Sequence, residues 1–280
     1  QAIGLRARDD RWALLGWAWG AGALVVGFLV FGLLWAQASL AITRWIIMAV
    51  AMGSVAAILP FKRRSADRPA PPVNAPRSSA IARLDRTLGG ALLLAVILFT
   101  QTAHLEHMLK ANETAIHVSD EANIWASKAK TLAYASGFNE TFRRDATKPI
   151  WVQHKDYPLL KPLLQVWTFA CAGRMTPVDN RWPMQAFVLA LTFIWAGAVR
   201  RRLAAPFAAI LLFVSATGHQ LWFLGSTAYA DHLVAFGFAL AFDAWLRWRE
   251  TGRRAWWRLA IIGVAIMVWM GTMTEVEAAQ

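Results

Sequence analysis

The residues best suited to chemistry gather in "SDEANIWASKAK", residues 119–130, where Asp120 and Glu121 stand side by side ahead of a tryptophan and two lysines. A carboxylate facing a membrane-edge cavity can act as general base, taking a proton from an acceptor nucleophile. The same pair precedes a helix expected over 122–134, where an acid accepts bonds from free backbone amides and favours the positive end of the helix dipole. Both readings are open on the residue pattern. Lys128 and Lys130 follow, and His154, Lys155 and Lys161 surround the next element. A lipid phosphate or pyrophosphate needs such cations, because an ammonium neutralises a departing phosphate oxygen without first protonating it. Lysines near helix ends also snorkel, with stems in lipid and ammonium groups among headgroups. "HKDYP", residues 154–158, combines the imidazole of His154, the acid Asp156, the aromatic Tyr157 and a proline that ends an extended approach to a helix. His154 and Asp156 could join Asp120 around a metal or simply bond to loop backbone. Their spacing matches no local metal motif, so no metal ligand is assigned and no cofactor is derived; a divalent metal stays an open requirement. Asp231, in "YADH", falls at the end of an apolar segment, where it could orient substrate hydroxyls or cap the next helix. His104, His107, His117, His219 and His232 have no spacing that lifts them above ordinary loop or helix-end residues.

The elements that must position these groups are membrane helices. The 280 residues are 57% hydrophobic, and apolar runs fall at about 13–35, 40–60, 88–105, 182–199, 203–224, 230–247 and 257–273. Each approaches the ~20 residues that cross hydrocarbon, which predicts an all-α polytopic bundle of about seven spans and excludes a soluble enzyme. The net charge of +12 would suit nucleic acid if the basic residues shared one groove. They lie instead in short clusters between apolar segments, the footprint of cytoplasmic loops. The chain divides into two amino-terminal helices over 1–61, a basic, proline-rich cytoplasmic linker over 62–87 and a larger module over 88–280. The linker carries seven Lys and Arg against Asp67 and Asp85, and so sets the orientation.

Residues 156–173 pose a choice between an eighth span and a helix lying flat at the interface. After Pro162 the stretch is short for a span, and Lys161, Gln165, Thr168 and Ala172 recur at helical spacing as a weakly polar stripe. A flat helix also puts Arg200–Arg202 and the cluster at 247–258 on the cytoplasmic side. The loop of about 106–181, "GSTAYADH" and "TEVEAAQ" then emerge together outside, with Asp120, Glu121, Asp156, Asp231, Glu275 and Glu277 on one face. The 16 tryptophans read mainly as interfacial anchors, although Trp125, Trp151 and Trp167 lie in the outer loop. Two "NET" triplets, at Asn112 and Asn139, are glycosylation acceptors only if the host modifies that face. The single cysteine, Cys171, excludes an internal disulfide or a thiolate metal cluster. The first apolar segment is long and closely followed by another, as a retained anchor would be. The opening Gln in place of Met suggests a piece of a longer protein.

Taken together, "SDEANIWASKAKTLAY", "HKDYPLLKPLLQVWTFACAG" and "NRWPMQAFVLALTFIWAGAVRRR" resemble the amino-terminal module of GT-C glycosyltransferases, nearest to the bacterial membrane enzymes related to protein O-mannosyltransferases and aminoarabinose transferases. In that family an acid follows an early membrane helix in the first large outer loop, two juxtamembrane helices lie along the surface, and a span returns to a basic inner end. The likeness runs over roughly residues 85–280, with two helices preceding the one that opens the module in better-known members. It implies sugar transfer from a polyprenyl-phosphate donor to an acceptor (lipid, glycan or protein) at the extracytoplasmic face of a bacterial inner membrane. No nucleotide-sugar site and no nucleic acid would be involved. By the same likeness Asp120 matches the loop carboxylate that acts as base or orients the acceptor, with Glu121 its acidic neighbour. Lys161 matches a residue that meets donor phosphate, and His154, Asp156 and Tyr157 match a pre-helix cluster. Lys128 and Asp231 complete the expected substrate-binding set.

Two other classes compete. A transporter or flippase of a lipid-linked or small polar substrate would use acids or broken helices near the midplane, often in repeated halves, and no internal repeat is visible. A non-catalytic membrane scaffold would keep the fold without the chemistry.

Overall fold

The structure, a computed structural model, describes residues 11–64, 80–113, 121–135, 158–175, 181–227 and 230–271. The order is α1 (Arg11–Trp35), α2 (Leu40–Arg64), α3 (Ala80–Asn112), a π-helical turn (Glu121–Ala126) running into α4 (Ser127–Ala135), then α5 (Leu160–Ala172) and α6 (Trp182–Arg202). α7 (Ala205–Ala216), α8 (His219–Ser226), α9 (Asp231–Thr251) and α10 (Arg254–Gly271) complete it. There is no strand among the described residues. Three helices are long and apolar enough to cross a membrane: Ala13–Trp35, Leu88–Asn112 and Trp182–Arg202. That is the signature of a membrane protein. The outward surface agrees, since Phe28, Leu98, Phe207, Ile210 and Phe238 are exposed along these and neighbouring helices.

Two of the remaining apolar segments take other forms. The run at 203–224 breaks at Thr217 and Gly218 into α7 and α8. α7 has only 12 residues, about 18 Å at 1.5 Å per residue, against a hydrocarbon core of about 30 Å. Helix α9 has 21 residues but carries Asp243 and Arg247 inside its length, which lowers its hydropathy below that of a simple span. α2 reaches Arg64 and α3 starts at Ala80, so helix enters both ends of the segment expected to be linker. The run Ala-Ile-Ala-Arg-Leu that opens α3 is made mostly of good helix formers.

Helix α1 packs on α5 and α6, α6 on α9, α9 on α10, and α3 on α7. The main core joins Trp17, Phe187, Leu191, Ile194, Phe236, Leu240 and Trp256. Close approach between α9 and α10 depends on missing side chains. A Cβ at Gly263 would lie 2.5 Å from the Ala241 nitrogen and 2.7 Å from the Gly237 carbonyl oxygen. Small residues one turn apart, here Gly237 and Ala241, are how membrane helices bring their backbones together, because lipid supplies no hydrophobic drive between them.

At the end of the bundle nearest Trp17, a charged pair is fully enclosed. Arg247 Nε donates to Asp243 Oδ2 at 2.7 Å, with side chains 0% and 3% exposed. The guanidinium carbon sits 4.5 Å from the Trp17 ring and 4.9 Å from Trp256. The two indoles meet edge to face at 4.9 Å. The cation–π contacts of Arg247 with Trp17 and Trp256 fasten α9 to α1 and α10, and the ion pair within α9 holds the guanidinium in place.

Candidate lysine and tryptophan site

The π-helical turn and α4 pack against α5. Trp125 and Lys128 stand three residues apart, and Lys161 and Gln165 four apart, so each pair lies on one face of its helix. The faces meet: Lys161 Nζ lies 4.4 Å from the Trp125 ring centroid and Lys128 Nζ 6.0 Å from it. Both lysines and Gln165 are 0% exposed. Beside them, Ala129 and Leu132 of α4, Leu163, Val166 and Phe169 of α5, and Val30 and Leu34 of α1 form a buried apolar cluster. The Lys161–Gln165 stripe, expected to face the headgroup layer, therefore points into the protein, and neither lysine snorkels outward. The weak polarity of the stripe could not tell water from a buried polar neighbour.

Buried ammonium groups are costly unless anions or hydrogen-bonding groups surround them, and an indole face offsets part of that cost. Lys128, Lys161 and Gln165 each hold further contacts besides these. The combination of two cations, an amide and an aromatic ring in one enclosed place is where anion recognition is best sought. π-Helical turns are rare and frequent at functional sites, and this one widens the backbone just ahead of Lys128. Glu121 opens that turn; its side chain, like Asp120, His154, Asp156 and Tyr157, lies outside the described residues. Asp231 stands exposed at the first position of α9, where its charge favours the helix dipole, and α9 packs on α6, α10 and α1.

A second polar cluster joins the far ends of α3 and α6 to α8. The Asn112 amide donates to Gln185 Oε1 at 2.9 Å, and Gln185 Nε2 reaches Asn112 Oδ1 at 3.1 Å and the Gly225 carbonyl at 3.1 Å. Arg181 donates to the Ala111 carbonyl. With its amide thus engaged and 5% exposed, Asn112 is not a glycosylation acceptor in this fold. Nearby, His104 Nε2 lies 2.7 Å from the Ala216 carbonyl, which only accepts, so Nε2 carries the proton. His104 therefore closes the carbonyl end left by the α7–α8 break, while Trp222 of α8 rests between His104 and His107 at 5.3 and 4.8 Å. Spacing along α3 held no sign of this role, because the partner lies on another helix.

Comparison with protein-family models, curated proteins and solved structures finds no match for this chain. The site's chemistry therefore rests on its own residues. Among the described residues no group of three or more His, Cys, Asp or Glu could hold a metal ion.

Proposed function

We propose that this chain is a multi-pass membrane glycosyltransferase of GT-C-like layout, with about seven spans. It would move a sugar from a polyprenyl-phosphate donor to an acceptor at the extracytoplasmic face of a bacterial inner membrane. The observation that carries the reading is the convergence of Lys128 and Lys161 on Trp125, directly after the acidic pair at 120–121. In the proposed reaction Asp120 removes the proton of an acceptor hydroxyl, with Glu121 beside it. The hydroxyl oxygen forms a bond to the anomeric carbon as the bond from that carbon to the donor phosphate oxygen breaks with inversion. The electron pair leaves on polyprenyl phosphate, whose growing charge Lys128 and Lys161 stabilise. His154, Asp156, Tyr157 and Asp231 would hold sugar and acceptor.

Release of polyprenyl phosphate from a panel of polyprenyl-phosphate sugars, followed by mass spectrometry in membranes, tests this without knowledge of the acceptor. Asp120→Asn is expected to slow release by about 10²–10⁴-fold, the usual worth of a general base. Lys161→Met, which keeps the stem and removes the charge, is expected to cost roughly 10²–10³-fold. Equal release by wild type and Asp120→Asn would move the base elsewhere, and no release with any donor would reject the transferase reading.

The break between α7 and α8 favours a second reading, a transporter or flippase, because discontinuous helices commonly line transport paths. Protein-dependent movement of an intact lipid-linked sugar across vesicles, without cleavage, would select it.

A further inference from the structure

At the end of the molecule marked by Trp17, far along α1 from the lysine site, six exposed arginines gather on three helices. They are Arg201 and Arg202 closing α6, Arg249 closing α9, and Arg253, Arg254 and Arg258 around the start of α10. Glu250 is the one acid on these turns, and both Arg201 and Arg202 engage it, the latter at 3.4 Å. Asp243 is enclosed with Arg247, its side chain 3% exposed. Arg254 and Arg258, four residues apart, share a face of α10 with no acid on these turns left to answer them.

The aromatic residues show what surrounds this surface. Trp248 and Trp257 meet across the α9–α10 turn at 5.3 Å while remaining 37% and 48% exposed. The Arg249 guanidinium lies 5.3 Å over the Trp245 ring, itself 36% exposed. Exposed indoles that carry both an apolar body and an N–H favour headgroup depth, which would set the arginines beside them at the level of lipid phosphates. The turn is also closed by a helix cap and by packing on its inner side. Gly252, at φ 63°, closes α9 with its N–H on the Trp248 carbonyl, and Trp256 on the inner side is held by Arg247 and Trp17.

We propose that this surface, built from the ends of α6 and α9 and the start of α10, binds the phosphodiesters of anionic phospholipids. A guanidinium fork fits two phosphate oxygens, and a cluster of arginines selects a headgroup of net negative charge over a zwitterionic one. Such binding would hold the α6, α9 and α10 ends together against their own repulsion.

The full chain, reconstituted in nanodiscs of mixed phosphatidylcholine and phosphatidylglycerol, provides the test. Lipid retained after detergent extraction is counted by mass spectrometry, and the unfolding temperature is followed as the anionic fraction rises. Wild type is expected to retain phosphatidylglycerol preferentially and to unfold at higher temperature as that lipid increases. Arg254→Gln with Arg258→Gln should lower the preference roughly tenfold at low salt, and the Lys pair at both positions should keep most of it. Glu250→Gln, which releases Arg201 and Arg202 from their acid, should raise it, so support does not depend on a loss that misfolding could mimic. Equal retention of the two lipids by wild type, or unchanged preference in both Gln variants, overturns the proposal. A matching temperature rise from soluble glycerol phosphate in pure phosphatidylcholine discs also overturns it, in favour of a free-phosphate site.

Discussion

Arg247 and Asp243 show how far a residue's surroundings can depart from its place in the chain. Along the sequence Arg247 reads as one of a run of arginines at a cytoplasmic helix end, yet it is the one enclosed between two indoles and paired with an acid four residues earlier. Removing one partner of a buried pair leaves the other charge uncompensated. Asp243→Asn is therefore expected to destabilise the fold by about 3–5 kcal/mol, seen as a lower unfolding temperature in detergent. Replacing both, Asp243→Leu with Arg247→Met, should recover most of the loss, because neither charge then remains. If the single and double variants unfold alike, the indole cage rather than the ion pair carries the stability. Lys128 and Lys161 follow the same logic: their type was visible in the sequence, but whether they face lipid headgroups or Trp125 depended on what lay opposite.

At the scale of helices, the apolar runs were legible because a bilayer demands a minimum length of apolar residues, and α1, α3 and α6 meet that demand. The α7–α8 break and the polar content of α9 were not, since an apolar average over the run hides a turn at Thr217–Gly218 and a charge pair that neutralises itself. Helix contacts were equally hidden, as glycines occur throughout the chain but only some sit against a neighbour. Gly263→Ala drives a methyl into the Ala241 and Gly237 backbone, and is expected to cost about 1–3 kcal/mol by forcing α9 and α10 apart. Gly22→Ala in α1, where nothing lies within 4 Å, should be neutral or stabilising by roughly 0.5–1 kcal/mol through helix propensity. Thermal unfolding of the two variants side by side checks both. Equal effects would mean that α9 and α10 do not meet at Gly263.

For the whole molecule the open question of orientation has a direct probe, because Cys171 is the single cysteine and stands exposed at the end of α5. With the loop of about 106–181 outside, a membrane-impermeant maleimide should label Cys171 in intact cells, and labelling only after permeabilisation would invert the topology. Although the residue is exposed, its sulfur is partly desolvated, which raises the thiol against the opposing pull of Arg44 and a hydrogen bond with Trp167, so less thiolate forms at neutral pH and the rate should keep rising with pH beyond the usual thiol range. The sequence by itself determined the helical character of the described residues, the membrane character and the basic clusters between apolar runs, since each depends on composition read over one helix length. The tertiary structure alone decided that α5 turns Lys161 and Gln165 inward, that Trp125 lies between two lysines, that Asn112 is engaged by Gln185, and that His104 closes the broken helix. Each of these joins residues from different helices. A polar side chain states what partners it can accept, and only the packing of another element against it states which one it receives.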